Sequence, residues 1–240
     1  MHCRLALVSL ALAVLALPAH AADDLDNIGG LSQSQFRLLS EDLGAALSYK
    51  PVLPAEPLGV VGFDLGLEMT VVNLENTAVF DIATISGSPS TLVIPKIHVH
   101  KGLPFGIDIG AYHAAVPDSN INNWGAELRY AILKGGAATP AVAVRASYTE
   151  LEGVDQLKLN TTGLDVSISK GFTFLTPYAG IGTVWVNSSP QDIVTLTEEE
   201  FSLTKYFVGL NMNFAFINVA FEGDKTGDTS SFSAKIGWRF

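Results

Sequence analysis

The sequence predicts an all-β fold, a closed antiparallel up-and-down barrel of about ten transmembrane strands preceded by one amphipathic helix. Three observations support this prediction. Segments that alternate apolar and polar residues recur along the chain, and a period of two is typical of strands. Hydrophobic residues make up 48% of the chain but charged residues only 16%, whereas soluble domains carry about 25% charged residues. The connections between the segments alternate in length, as they do in membrane barrels.

The chain opens with the three parts of a secretory signal peptide. Arg4 supplies the positive charge, residues 5–17 form an apolar run, and Ala19-His20-Ala21 is a small-x-small cleavage site. A membrane-spanning helix needs about 20 apolar residues, and this run is shorter. We expect residues 1–21 to be removed by cleavage after Ala21. Cleavage also removes Cys3, the one cysteine of the chain, so the exported protein depends on a closed sheet rather than on disulfides.

The rest of the chain is expected to hold an N-terminal part, residues 22–57, and the barrel, residues 58–240. Ser32 and Gln35 form a capping box, and the apolar residues behind it recur at helical spacing, which predicts a helix over about 33–47. A proline-rich connector then leads to the barrel. The helix either plugs the lumen or lies outside the barrel, and the sequence leaves both positions open. Its apolar face consists of Phe36, Leu39, Leu43 and Leu47.

Alternation along the predicted strands separates one apolar face from one polar face. In the first segment, residues 61–71, apolar side chains occupy the odd positions, and its length suits one tilted membrane strand of about 9–11 residues. Pro95 is awkward within a later segment because it removes a donor from the hydrogen-bond ladder. We expect a bulge there, or a different register.

The polar face of these segments carries six acids, six bases and two histidines. Because unpaired buried charges are unfavourable, we expect these charges to pair in a structured lumen rather than to line an ion-selective pore. The predicted lumen residues are Asp64, Glu68, Lys96, His98, His100, Asp108, Glu127, Arg129, Arg145, Asp165, Lys205, Glu222, Lys235 and Arg239.

Glycines share this polar face and leave room inside the barrel. A barrel of about eight strands fills with side chains, whereas an eleven-stranded one encloses a helix. Ten strands with glycine-lined walls are therefore compatible with a helical plug, although the glycines are equally explained by strand curvature. They are Gly62, Gly66, Gly106, Gly110, Gly125, Gly163, Gly209 and Gly237.

The connections are expected to sort by length between the two ends of the barrel. The longer, acidic ones are 73–90, 116–122, 152–158, 187–200 and 224–229, and the shorter ones are 101–104, 134–139, 171–175 and 214–215. Acidic loops suit hard cations, but no stretch matches a calcium-loop motif, so solvated loops are the favoured interpretation. The net charge of −10 argues against a nucleic-acid partner.

Histidines provide the few candidates for chemistry. His98 and His100 lie two apart on one strand face, a spacing that allows both to bind one metal. No cysteine and no clear third ligand accompanies them, so we predict polar lumen filling, with no metal and no cofactor. His113 lies near Asp118 and Ser119, but nothing in the sequence defines a triad geometry, and we predict no catalytic residue.

The chain ends in an alternating segment whose apolar row closes on a C-terminal aromatic residue. Together with the signal peptide and the strand pattern, the GWRF ending resembles small Gram-negative outer-membrane β-barrel proteins over residues 58–240. This resemblance implies the cell outer membrane, contacts with outer-membrane lipid and lipopolysaccharide, both termini on the periplasmic side, and recognition by the barrel-assembly machinery. The insertion signal would be Phe232, Ile236, Trp238 and Phe240.

These patterns predict a class of protein rather than one activity. The favoured hypothesis is passive passage or binding of a small solute, hydrophobic solutes included, through a barrel plugged by its N-terminal helix. Hydrophobic-compound transporters loosely resemble this arrangement but have more strands. The alternatives are a closed structural or adhesive surface barrel and, least favoured, a lipid-modifying enzyme of the outer membrane.

Overall fold

Ten antiparallel strands close into a barrel, as the sequence predicts, and one helix lies inside it. The computed structural model describes residues 24–84 and 90–240, so the predicted signal peptide lies outside the described residues. Each strand pairs with its neighbours in chain order, and the first pairs with the tenth. The strands are β1 Phe63–Asn73, β2 Thr91–Gly102, β3 Ile107–Ala115, β4 Asn122–Lys134, β5 Ala141–Glu152, β6 Leu157–Ser169, β7 Leu175–Pro190, β8 Glu199–Phe214, β9 Ile217–Thr226 and β10 Thr229–Arg239.

Two α-helices accompany the strands. Helix α1, Gln33–Leu47, begins at the predicted capping box: Ser32 accepts from the amide of Gln35, whose side chain accepts from the Ser32 amide. Helix α2, Thr77–Ala83, lies in the β1–β2 connection, which the sequence analysis assigned to a loop, and its N-cap Asn76 makes no side-chain hydrogen bond. Within the described residues, no helix is both long and apolar enough to cross a membrane.

Adjacent residues of a strand have opposite environments, as the period of two requires. On β2, Ile97 is 53% exposed on the outer face while Lys96 is 5% exposed in the lumen. On β4, Leu128 is 53% exposed while Arg129 is 1% exposed. At these positions the barrel is therefore apolar outside and polar inside.

Pro95 causes no shift in the pairing of β2 with β1, where it lies opposite Met69. The expectation of a bulge there is wrong. On the other side of β2, the pairing with β3 ends at Lys96 opposite Ala114. Pro95 therefore lies just beyond the β3 ladder, where a missing donor costs no hydrogen bond.

The two ends of the barrel are distinguished by where its first and last strands meet. Phe63 and Phe240 exchange backbone hydrogen bonds, with N···O distances of 2.8 and 3.1 Å. We call this end the seam end, and the opposite one the loop end. The seam end has the connections 103–106, 135–140, 170–174 and 215–216, and the loop end has 74–90, 116–121, 153–156, 191–198 and 227–228.

The sorting of connections by length is weaker than predicted. The β9–β10 connection is a tight turn at Gly227 and Asp228, not the loop 224–229. Asp224 and Thr226 continue the inward alternation of β9 and are buried. Their polarity suggested a loop, although they are lumen residues.

The N-terminal segment passes through the lumen from the loop end to the seam end. At the loop end, the amide of Leu25 donates to Asn120 Oδ1 over 3.1 Å and that of Ile28 to Gln156 Oε1 over 3.0 Å. At the seam end, the amide of Leu58 donates to Asp108 over 3.2 Å. The first and last strands have their outer ends at the seam end, so the expectation that both termini lie at one end holds for the strands. It is wrong for residues 24–31, because capping and helical periodicity do not indicate in which direction the helix runs through the barrel.

Candidate functional site: the plugged lumen

Helix α1 fills the outer half of the lumen, towards the loop end. The predicted apolar face, Phe36, Leu39, Leu43 and Leu47, is at most 2% exposed. It belongs to one hydrophobic cluster with inward-facing residues of the barrel wall, which include Val72, Leu92, Ile94, Leu151, Leu159, Val184 and Val186. Of the two positions that the sequence left open for the helix, the structure shows the one inside the barrel.

Polar contacts fix the rotation of α1 within this apolar half. The hydroxyl oxygens of Ser40 and Ser188 lie 2.7 Å apart and are both buried. Asp42 accepts from the Thr229 hydroxyl over 3.0 Å and from the Asn76 amide over 2.8 Å. The helix is therefore tied to β7, to the start of β10 and to the β1–β2 connection.

Below α1, the connector brings two polar side chains into the lumen that the sequence analysis missed. The Tyr49 hydroxyl lies 3.1 Å from His100 Nε2, and Lys50 Nζ lies 3.5 Å from Asp224 Oδ1. Lys205 donates to the Tyr49 carbonyl over 2.5 Å. The sequence feature that could have indicated them was Lys50, a lysine between the end of the predicted helix and the proline-rich connector. Lys50 and Asp224 add one charge of each sign to the lumen.

The inner half of the lumen, towards the seam end, holds the predicted charged residues. All fourteen except the partly buried Arg239 are at most 7% exposed. Lys235 lies 3.2 Å from Asp64, and Lys96 lies 2.9 Å from Glu68. The first pair joins β10 to β1 across the seam, and the second joins β1 to β2.

Two arginines organise the opposite wall. Arg129 Nη2 lies 2.6 Å from Asp108, and its Nη1 donates to the Pro54 carbonyl over 2.5 Å, which ties the connector to β3 and β4. Arg145 lies between Glu127 and Asp165, with N···O distances of 3.2 and 3.4 Å. Each arginine therefore faces carboxylates that would otherwise be buried without a counter-charge.

Ring side chains occupy the space that the lumen glycines leave. A Cβ atom at Gly209 would overlap the Tyr178 ring, one at Gly110 would overlap His100, and one at Gly125 would approach Tyr112. Tyr178 in turn donates to Glu222 over 3.0 Å. These glycines accommodate rings from neighbouring strands, and the room that they provide is already filled.

A remaining cavity near the end of α1 has a volume of about 10 Å³ and is lined in part by Ser147, Thr161, Asp165 and Lys205. That volume holds about one water molecule. The helix, the rings and the ion pairs therefore leave little space in this part of the lumen.

Replacing Gly209 with alanine is expected to destabilise the barrel by about 1–3 kcal/mol, the usual cost of overpacking. The added methyl group would displace Tyr178 from Glu222. The matched control is Gly223→Ala on β9, where the nearest atom lies 4.0 Å from the new Cβ, and we expect a change within about 0.5 kcal/mol. Urea unfolding in detergent measures both variants, and equal effects would contradict this account of the glycines.

His113 does not join the lumen. It is exposed on the outer face of β3, where it pairs with Ile97 of β2 and Trp124 of β4. The structure therefore separates it from His98 and His100, which are buried in the lumen.

Comparisons with known proteins return barrels of one kind. The N-terminal β-barrel domain of OprF from Pseudomonas aeruginosa is 15% identical, with 73% of this chain and 97% of that chain covered and a TM-score of 0.36. The KdgM porin is 8% identical, with 75% and 99% covered and a TM-score of 0.39. OprG, an outer membrane protein of P. aeruginosa, is 10% identical, with 78% and 99% covered and a TM-score of 0.37. No protein-family model and no curated protein matches the chain.

At such identities and TM-scores the likeness concerns the barrel architecture alone. The helix, the ring side chains and the ion pairs that fill the lumen are features of this chain. Its function is therefore inferred from its own residues and not from the similar structures. The chain has the fold of a small outer-membrane β-barrel, closed in ten strands and plugged by its N-terminal segment.

Proposed function

We propose that this protein is an outer-membrane barrel that its own N-terminal segment holds closed, and that displacement of α1 admits a small apolar solute to the lumen. The single observation that carries the proposal is the apolar interface between α1 and the barrel wall. A water-filled porin channel is polar, whereas the outer half of this lumen is lined by aliphatic side chains.

The outer surface supports a position in the membrane. Large apolar side chains stand exposed on neighbouring strands around the barrel, among them Leu67, Ile97, Leu128, Val208 and Phe232. Soluble monomers rarely expose contiguous apolar patches of more than a few hundred Å². The same face of β10 carries Trp238, with Phe240 exposed just beyond the strand, and we expect the assembly machinery to bind this strand.

The apolar wall also indicates the class of solute. If α1 moved out, Val184 and Val186 of β7 and Leu159 of β6 would line the vacated space, and all three are now buried against the helix cluster. Such a surface favours a hydrophobic molecule and disfavours an ion, because desolvation of an ion without polar partners is expensive.

A reversible disulfide between α1 and the wall tests whether the plug moves. Ser40 and Ser188 place their hydroxyl oxygens 2.7 Å apart, and Cys3, the one native cysteine, lies in the predicted signal peptide. We expect Ser40→Cys/Ser188→Cys to lock the helix. The oxidised variant should take up less of a tritiated apolar solute than the unaltered chain, and a reductant should restore the uptake.

Loosening the plug gives the complementary result. Leu39→Ala/Leu43→Ala removes apolar contacts of α1, so uptake of the apolar solute should become faster. The single variant Ser40→Cys, which cannot form the bridge, is the control for the lock. Negligible uptake of the apolar solute in the unaltered, reduced and loosened proteins would contradict passage and would favour the closed structural or adhesive barrel.

A further inference from the structure

We propose that Asp64, His98 and His100 form a binding site for one divalent transition-metal ion in the inner half of the lumen. The site does not depend on whether the plug moves. The sequence offered only two ligands, and the strand register supplies the third, because Asp64 of β1 lies directly opposite His100 of β2.

The three side chains converge on one point. The Nδ1 atoms of His98 and His100 lie 3.1 Å apart, and His98 Nδ1 lies 3.9 Å from Asp64 Oδ1. One ligand atom from each residue lies within 4.8 Å of the others. In a tetrahedral zinc site, bonds of about 2.0–2.2 Å place neighbouring ligand atoms about 3.3 Å apart. Small side-chain adjustments would therefore complete the coordination.

The surroundings of His100 match the outer shell that a metal-binding histidine needs. His100 Nε2, the nitrogen that faces away from the site, lies 3.1 Å from the Tyr49 hydroxyl and 3.5 Å from Glu127 Oε1. Such partners fix the ring orientation and leave Nδ1 free to bind. Lys235 lies 3.2 Å from both oxygens of Asp64, so one oxygen can bind a metal while the ammonium group retains the other.

Glycines hold both rings in place. A Cβ atom at Gly66 would lie 2.6 Å from His98 Nε2, and one at Gly110 would overlap His100. Both imidazoles therefore fit into recesses of neighbouring strands with their Nδ1 atoms directed at each other. Two neutral rings in this position can form one hydrogen bond, in which one Nδ1 donates and the other accepts. A metal ion would instead bind the lone pairs of both Nδ1 atoms.

The donor set identifies the class of ion. Two imidazole nitrogens and one carboxylate oxygen suit Zn²⁺, Co²⁺ or Fe²⁺, whereas Mg²⁺ and Ca²⁺ prefer all-oxygen sites. A bound ion would join β1 to β2 and, through Tyr49, to the end of the plug. Because the site is buried beneath the plug, we expect the ion to enter before the barrel closes.

Metal analysis of the full chain without an affinity tag tests the site. The protein is refolded in detergent with Zn²⁺ or Co²⁺, passed through a desalting column and measured by mass spectrometry. We expect one ion per chain in the unaltered protein and in His113→Ala, which changes an exposed histidine on the outer face of the barrel. His98→Ala and His100→Ala should lose the ion, and Tyr49→Phe should bind it about 10–100-fold more weakly.

The Co²⁺ absorption spectrum of the unaltered chain provides a readout that needs no variant. Ligand-field bands typical of a four- or five-coordinate site with nitrogen donors should accompany the bound equivalent. Barrel formation of each variant is checked by circular dichroism and by its heat-dependent gel mobility. An unaltered, folded chain that retains no metal would overturn the proposal, and so would folded His98→Ala and His100→Ala variants that retain as much metal as the unaltered chain.

Discussion

Replacing Arg129 with alanine is expected to lower the free energy of unfolding by about 3–5 kcal/mol, the effect of removing one partner from a buried ion pair. Arg129 and Asp108 are both 1% exposed, and their closest N···O distance is 2.6 Å. Without the guanidinium group, the carboxylate remains buried without its counter-charge. The Pro54 carbonyl loses its donor as well, so the connector should also loosen. Urea unfolding in detergent measures the loss.

The matched control removes an arginine from the rim. Arg37 pairs with Glu41 and Glu199, but its side chain is 35% exposed, and such pairs contribute about 0–1 kcal/mol. A second control is the double variant Arg129→Ala/Asp108→Ala, which should be less destabilised than the sum of the single changes. Additive single changes would show that the pair is not the source of the effect.

Local patterns in the sequence are sufficient to predict the barrel and to predict which of its side chains face the lumen and which face outward. Lys96 and Ile97 are adjacent in the chain, and the period of two alone assigns one to the lumen and the other to lipid. The helix could be predicted in the same way, because Ser32 and Gln35 mark its start and the spacing of its apolar residues marks its buried face. These features are local, so a single sequence contains them.

Features that depend on contacts between distant parts of the chain could not be predicted from such local patterns. Asp64 lies opposite His100 only because β1 and β2 adopt one particular register. Asp224 was assigned to a loop because it is charged, although its partner Lys50 lies on the connector inside the barrel. Neither the direction of α1 nor its position in the lumen has a local signal, since a buried apolar stripe would look the same against any apolar surface.

A cysteine placed at Asp24 is expected to react from outside intact cells, and one placed at Glu56 only after the outer membrane is opened. Both residues are exposed, and they lie at opposite ends of the threaded segment. In outer-membrane barrels the longer loops face outward and the strand termini face the periplasm. The loop end, and with it Asp24, should therefore face the medium.

The measurement is labelling of whole Gram-negative cells with a maleimide too large for porins, followed by a gel shift. Each cysteine is introduced alone, and permeabilised cells give the total that can react. Reaction of Glu56→Cys but not Asp24→Cys in intact cells would show that the barrel has the opposite orientation in the membrane. Reaction of neither would place both ends of the segment behind the membrane and exclude threading.

Threading also constrains the order of assembly. The segment 24–62 enters at one end of the lumen and leaves at the other, and β1 and β10 pair along the seam from Asp64 opposite Arg239 to Asn73 opposite Ser230. Once that ladder has formed, an apolar helix at the periplasmic end would have to pass the ion pairs of the inner half to reach the loop end. We therefore expect α1 to occupy the lumen before the seam closes, so that external labelling of Asp24→Cys appears together with barrel closure and not after it.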